Sequence, residues 1–529
     1  MAPPKSLPSL VHWLGSVLIV AVIGGLGGLP SAHAQKDYEE WRKEQRQKYQ
    51  EYLNEQDKAF LKFLKRQWKS VEVEAEAGSP VDDKPADIPT VGELEGTGQP
   101  SPSDAESSPA PKSDPEGPPE PDGDPASSDL NTEPAGPPPQ PQTSSRGRSE
   151  SRMEAGANRS TAALRFFGVP TSVPYTSSIT PSLDGRPGKE SIRSFWRTMA
   201  KQDYAPTLEA VQAQRDELGL GDWGYYVYLR DLGNQLYQKE AGPSGSNAAT
   251  LWTWFMMMKS GYAVRVGYRS DNIFLMLPVD HQIYNRPQMY LNDQRYYLMV
   301  DGGGGSLRTY EGQHEEADRV LALDQKILPD LTGSMKQRSA SFSYDGERYT
   351  IEFSYDTAVL AYLQAFPNVE LSVLFQAGAS PVAQSSLAES LRPHLEGRSP
   401  RKQLTFLLRF VQFATEYKRD RENFGEERFL FPEESLAVSA SDCEDRAVLF
   451  AYLVRTLLDR KVVGLEWPSH IATAVRAGDG LEASAEDRTL SVDGEAYIMA
   501  DPTYIGSSLG MEMPLIENKD PNIIQFAQN

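Results

Sequence analysis

The chain has 529 residues, enough for two or three domains, and 74 acidic against 53 basic residues give it a formal charge of -21 at pH 7. A phosphate-binding surface needs a concentrated basic footprint and none is visible, so nucleic acid is excluded as a partner; the acidity speaks for solubility. Cys443 is the only cysteine, which leaves it no disulfide partner in its own chain.

Residues 1–34 read as a secretory signal peptide. Lys5 is the only early charge, an apolar stretch runs from Leu14 to Leu29, and Ala32, His33 and Ala34 precede a cleavage point at Gln35. An uncleaved anchor is the competing reading, but Gly24, Gly25, Gly27 and Gly28 break the apolar run. The mature protein is expected in the periplasm or cell envelope, or secreted. Residues 35–77 are expected as a charged amphipathic helix, with Trp41, Tyr49, Leu53, Phe60, Leu64 and Trp68 near one face. That face suits an envelope partner, a membrane surface, or packing on the protein itself. Residues 78–160 are rich in Pro, Ser, Asp, Glu and Gly, the composition of a disordered linker.

Folded sequence then runs to the C-terminus in three pieces, 161–330, 331–378 and 379–529. In the middle piece Phe342, Tyr344, Tyr349, Ile351, Phe353 and Tyr355 alternate around Asp345 and Gly346, which predicts a β-hairpin; Val369, Leu371 and Val373 suggest a further strand, making a β-rich connector. The flanking pieces correspond to each other. A helix opening near Cys443 is followed by Val462 to Leu465, His470 and a run ending at Asp501; a helix opening near Ala248 is followed by Val264 to Gly267, Asn272 and a run ending at Asp301. This predicts an internal repeat with a degenerate first copy, although any helix-then-strand units with short turns align comparably. In that first copy Trp252, Trp254, Met256, Met257 and Met258 read as core packing rather than a ligand groove. Gly302 to Gly305 lack the Lys-Ser/Thr of a phosphate cradle, and no set of residues has metal-site spacing, so neither cofactor nor metal is expected.

A lone thiol in an oxidising compartment is a liability unless it is buried, pairs between molecules or does chemistry. Cys443 follows Ser441 and Asp442, residues that cap helices, and the start of a helix favours the thiolate. Glu444 and Asp445 oppose it by like charge, so a basic partner must come from elsewhere. His470 begins an alternating strand pattern through Val475, and Asp501 ends the run from Tyr497; adjacent strands can bring them together, with Asp501 orienting the imidazole that takes the thiol proton. Singly, a buried structural cysteine, a satisfied histidine and a turn-capping aspartate explain these residues as well.

Taken in order, Phe410 to Tyr417, Asp420, Phe424 and Gly425, Phe431 to Leu436, Ser441 to Ala447, Pro468 to His470 and Ala500 to Pro502 resemble the transglutaminase-like superfamily of papain-type thiol folds, over roughly residues 400 to 510. The resemblance implies an α+β fold with the cysteine helix packed on an antiparallel sheet. It also implies acyl chemistry on protein or peptide amides, with Cys443 as nucleophile, His470 as general base and acid, and Asp501 as orienter. The backbone N–H of Cys443 would stabilise the oxyanion, with Gln412 or Tyr417 as the second donor. Water as acceptor gives a protease or amidase, and an amine gives an acyltransferase; hydrolysis is the expectation. A noncatalytic envelope scaffold with a vestigial site, and a redox-sensing thiol, are the competing readings.

Overall fold

The computed structural model describes residues 55–66, 68–74, 84–86, 88–91, 159–240, 242–300, 304–312, 314–514, 516 and 520–526. The expected signal peptide, the first part of the expected N-terminal helix and most of the expected linker lie outside them. Two compact units divide the chain, Met1–Phe63 and Leu64–Asn529. Residues 55–64 are helical, so the helix expected to include Trp68 stops one turn short of it. The Trp68 indole donates to the Leu64 carbonyl at 3.2 Å and packs on the rings of Tyr268 and Tyr310. Beyond it Val71 and Val73 alternate with polar residues in the strand Lys69–Val73, which joins a sheet of the next domain.

The fold is α+β, with two antiparallel sheets built on one plan. In the first, the strand order is Lys69–Val73, Gly305–Thr309, Arg265–Arg269, Asn272–Pro278, Gln294–Leu298, Gln288–Leu291. In the second it is Asn522–Ile524, Val462–Trp467, His470–Arg476, Glu495–Ala500, Thr489–Val492. Apart from the added strand Lys69–Val73, the five strands of each sheet follow one another in the same spatial order relative to their order in the chain. A helix preceding each sheet in sequence packs against it, Pro243–Lys259 in the first and Cys443–Leu458 in the second. In the first helix Trp252, Trp254, Met256 and Met257 are fully buried, as core residues. The second sheet keeps Gly464 free of a side chain for a reason: a Cβ there would stand 2.7 Å from the Phe375 ring.

The hairpin forms as the alternation predicts, Met335–Tyr344 with Glu347–Asp356, closed by Asp345 and Gly346 at positive φ. It is not a free-standing connector. Phe342 packs on Phe406 and Phe410, Phe353 on Phe410, and Arg338 donates to the carbonyls of Leu436 and Val438 just before the cysteine helix. The strand expected over Val369 to Val373 is instead the helix Leu371–Gln376. Buried Leu371, Leu374 and Phe375 follow the i, i+3, i+4 spacing of a helix, which outweighs the two-residue alternation over so short a run.

Candidate active site

Cys443 is the first residue of the helix Cys443–Leu458. Ala440–Ser441 pairs in parallel with Glu416–Tyr417, and Asp442 remains extended, so the chain enters the helix from a short fixed strand. Asp445, in the first turn, accepts from the backbone N–H of Asp442 at 3.4 Å and of Leu430 at 2.8 Å. This reciprocal cap binds the helix start to the loop before it. The thiol is fully buried and donates to Glu444 Oε2 at 3.2 Å.

His470 opens the strand His470–Arg476, and Asp501 follows the neighbouring antiparallel strand Glu495–Ala500. The expected pair is formed: His470 Nε2 lies 2.8 Å from Asp501 Oδ2. The other Asp501 oxygen accepts from the N–H groups of Thr503 at 2.9 Å and Tyr504 at 3.1 Å, which fixes the carboxylate from both sides. The pairing assigns the imidazole proton to Nε2. His470 Nδ1 is buried and has no hydrogen-bond partner among the described residues, and the ring of Trp467 stacks beside it at 6.2 Å. Cysteine helix and histidine strand pack together, but the thiol hydrogen bond goes to Glu444 and not to the imidazole.

Of the two expected oxyanion donors, Gln412 is committed elsewhere. Its Nε2 donates to the Tyr504 carbonyl at 2.9 Å and Ser507 Oγ at 3.1 Å, and its Oε1 accepts from Arg409 at 2.6 Å and from the Gly506 N–H at 3.2 Å. It staples the loop that carries Asp501, and its role is positioning. The Tyr417 hydroxyl donates to the carbonyl of Pro85 at 2.9 Å.

That contact introduces a segment missing from the sequence reading. Residues 84–86 and 88–91, within the stretch whose composition reads as linker, dock on the C-terminal domain. The Lys84 side chain, 2% exposed, inserts its ammonium among four carboxylates: Asp442 Oδ2 at 2.7 Å, Asp420 Oδ2 at 3.6 Å, and Glu444 and Glu427 in close ion pairs. At the other end of the segment the Val91 N–H donates to the Ile505 carbonyl at 2.9 Å, four residues past Asp501. The segment thus runs from the residues flanking Cys443 to the loop behind Asp501. Ile88 and Val91 are its sequence signal, apolar residues close together in an otherwise polar stretch.

The four carboxylates Asp420, Glu427, Asp442 and Glu444 offer oxygens within 4.8 Å of one another, a donor set suited to a hard cation. Spacing along the chain gives no hint of it, because the fold brings the start of the short helix Asp420–Asn423 and the loop after it against the start of the cysteine helix. The ammonium of Lys84 stands among them. Burial would lower the Lys84 pKa, but Glu444, Asp442 and Asp420 reverse this and hold the ammonium firmly charged. Burial, then Glu444 and Asp442, push the Cys443 thiol well above its usual range, with Lys84 pulling the other way. The helix start alone therefore does not make this thiol a thiolate.

Two of the three equivalent positions of the first sheet lie among the described residues. The helix carrying Ala248 begins at Pro243, so Ala248 lies beyond its first turn, Asn272 is exposed, and Asp301 is outside the described residues. Comparison with protein-family models, curated proteins and solved structures finds no match to this chain. Among the described residues no helix is long and apolar enough to cross a membrane.

Proposed function

We propose that the chain is an exported thiol enzyme acting on protein or peptide amide bonds through Cys443, His470 and Asp501, with a core of the transglutaminase-like, papain-type kind. One observation carries the reading: an imidazole tied through Nε2 to a fixed carboxylate, with a buried Nδ1 left unpartnered on a strand packed against the helix that starts at the only cysteine. The matched strand order of the two sheets supports a duplication in which the first copy lacks the thiol.

In the reaction, His470 Nδ1 takes the thiol proton as Cys443 Sγ attacks the amide carbonyl. The tetrahedral intermediate collapses as the C–N bond breaks, with the proton passing from His470 to the departing amine. Water, deprotonated by the same nitrogen, then attacks the thioester, releases the acid and returns the thiol. The Cys443 N–H at the helix start is one oxyanion donor. Tyr417, whose hydroxyl already donates to a backbone carbonyl beside the thiol-bearing segment, is the better second donor than Gln412.

A noncatalytic scaffold is the second reading, favoured by the complete burial of Cys443 and its bond to Glu444. The test is iodoacetamide labelling of the mature protein against pH, beside His470→Ala, followed by a peptide-amide screen with Cys443→Ala as control. Histidine-dependent labelling and a cleavage activity absent from Cys443→Ala support the enzyme. Cleavage at wild-type rates in Cys443→Ala refutes it.

A further inference from the structure

We propose that the segment of residues 84–86 and 88–91 is an internal pseudosubstrate that closes the Cys443 site, its lysine filling the pocket in which a substrate's lysine side chain binds. The proposal rests on the reading of Cys443, His470 and Asp501 as the reactive centre and adds both its regulation and its substrate class.

Three independent contacts place the segment as a strap. Lys84 reaches both residues that flank Cys443, Asp442 on one side and Glu444 on the other. The carbonyl of the next residue, Pro85, accepts a hydrogen bond from Tyr417, the side chain best placed to polarise a substrate carbonyl. Val91 is then bonded to Ile505 in the loop behind Asp501, and Thr90 forms a parallel bridge with the same residue. A segment that gives a side chain to a pocket, a carbonyl to a donor and a backbone N–H to the opposite wall is bound as a peptide ligand is bound.

The pocket is more than a cluster of acidic groups. Its ligand chemistry is displayed by the ammonium already within it, and Asp420 Oδ1 and Asp442 Oδ1 are buried with no hydrogen-bond partner among the described residues. Such a pocket selects a primary ammonium on a flexible stem: a neutral side chain would leave several carboxylates desolvated and uncompensated.

The experiment measures the rate of iodoacetamide labelling of Cys443 at pH 7.5 in the full mature chain, in Lys84→Ala and in Val91→Pro. Val91→Pro removes the N–H that bonds Ile505 while keeping the buried ammonium, so it isolates exposure from charge. It should label about fivefold faster, the population change expected from losing one hydrogen bond. Lys84→Ala should also label faster than the full chain, but by less than Val91→Pro, because losing the neighbouring positive charge disfavours the thiolate. A synthetic peptide of residues 82–92 added to whichever variant stays folded should restore protection, and the same peptide with norleucine in place of lysine should not.

Unchanged labelling in both variants, with native circular dichroism, would overturn the strap and make Lys84 a structural counter-ion. If Lys84→Ala does not fold, Val91→Pro decides alone. Equal protection by the two peptides would overturn the lysine pocket. Adding His470→Ala to the faster-labelling variant separates the two levels: labelling that ignores His470 would remove the enzyme reading while the strap stood.

Discussion

Asp501→Asn is the sharpest test of the histidine–carboxylate pair, because the substitution keeps the shape and changes one proton. Asp501 is fully buried, and its Oδ1 accepts from two backbone N–H groups, of Thr503 and Tyr504. An asparagine must keep its oxygen on that side, since turning its NH2 toward two N–H groups would set donors against donors. The NH2 then faces His470 Nε2, which must become the acceptor, and the imidazole proton moves to Nδ1. The nitrogen left unpartnered for the thiol is thereby converted from a base into a donor. Loss of a charge-assisted hydrogen bond costs about 1.5–3 kcal/mol of stability, and turnover should fall by about a thousandfold or more. Imidazole 15N chemical shifts read the tautomer directly, and urea unfolding reads the stability. The same Nε2–H tautomer in both proteins, with an unchanged labelling profile, would refute the assignment of Nδ1 as the base.

Two further outcomes follow from groups beside this pair. Gln412→Leu removes an amide that satisfies the Tyr504 carbonyl, Ser507 and the Gly506 N–H; it should cost about 2–4 kcal/mol in urea unfolding and shift the His470 resonances, whereas a loss below ~1 kcal/mol would deny the staple. The buried carboxylates set a pH dependence: burial, then Asp442 and Asp445, raise Asp420 to about 10, and burial also raises Asp442, Glu444 and Asp445. Folded carboxylates that hold protons more tightly than unfolded ones stabilise below the ordinary carboxylate range, and that stability is lost as pH rises toward their folded values. The protein should therefore unfold at lower urea at pH 8.5 than at pH 5.5, more steeply in Lys84→Ala, where no ammonium offsets the ionised forms. A Lys84→Ala penalty that is the same at both pH values would show the cluster to be uncharged without it.

What could be read from the sequence was local. Asp442 before Cys443 with acids in the next turn announces a helix start, the alternation after His470 announces a strand, and the run into Asp501 announces another; two such strands side by side leave little choice of pairing. The correspondence between the two sheets was legible for the same reason, as a succession of local patterns, and the matched strand order is what such a succession produces. Gln412 was not legible, because an amide in an apolar helix looks alike whether it bonds a core carbonyl or an oxyanion, and its partners lie about ninety residues away. Lys84 was still less so. Composition predicts that residues 78–160 do not bury a core of their own, but says nothing of a short piece that borrows another domain's core, with ion pairs that span 358 and 360 residues.

The electrostatics of the thiol make the cation central rather than incidental. The field of a helix start favours an anion by about 0.3–1 kcal/mol, up to ~2 in partly buried geometry. One like charge about 4 Å away opposes it by about 4 kcal/mol at an effective dielectric of 20. Asp442 and Glu444 flank Cys443 directly, and the thiol proton is bonded to Glu444, so the helix start loses to Glu444 wherever that carboxyl is ionised. A thiolate at this position requires a positive charge between the carboxylates. In the closed protein Lys84 supplies it but bars the substrate; once the strap leaves, the pocket has the carboxylates and no cation. A substrate lysine entering the pocket would restore the charge at the moment the carbonyl arrives, coupling recognition to thiol activation. Reactivity of the opened thiol should then rise when n-butylammonium is added to Lys84→Ala, whose pocket has lost its own ammonium; labelling that ignores the added ammonium would mean another source for the thiolate.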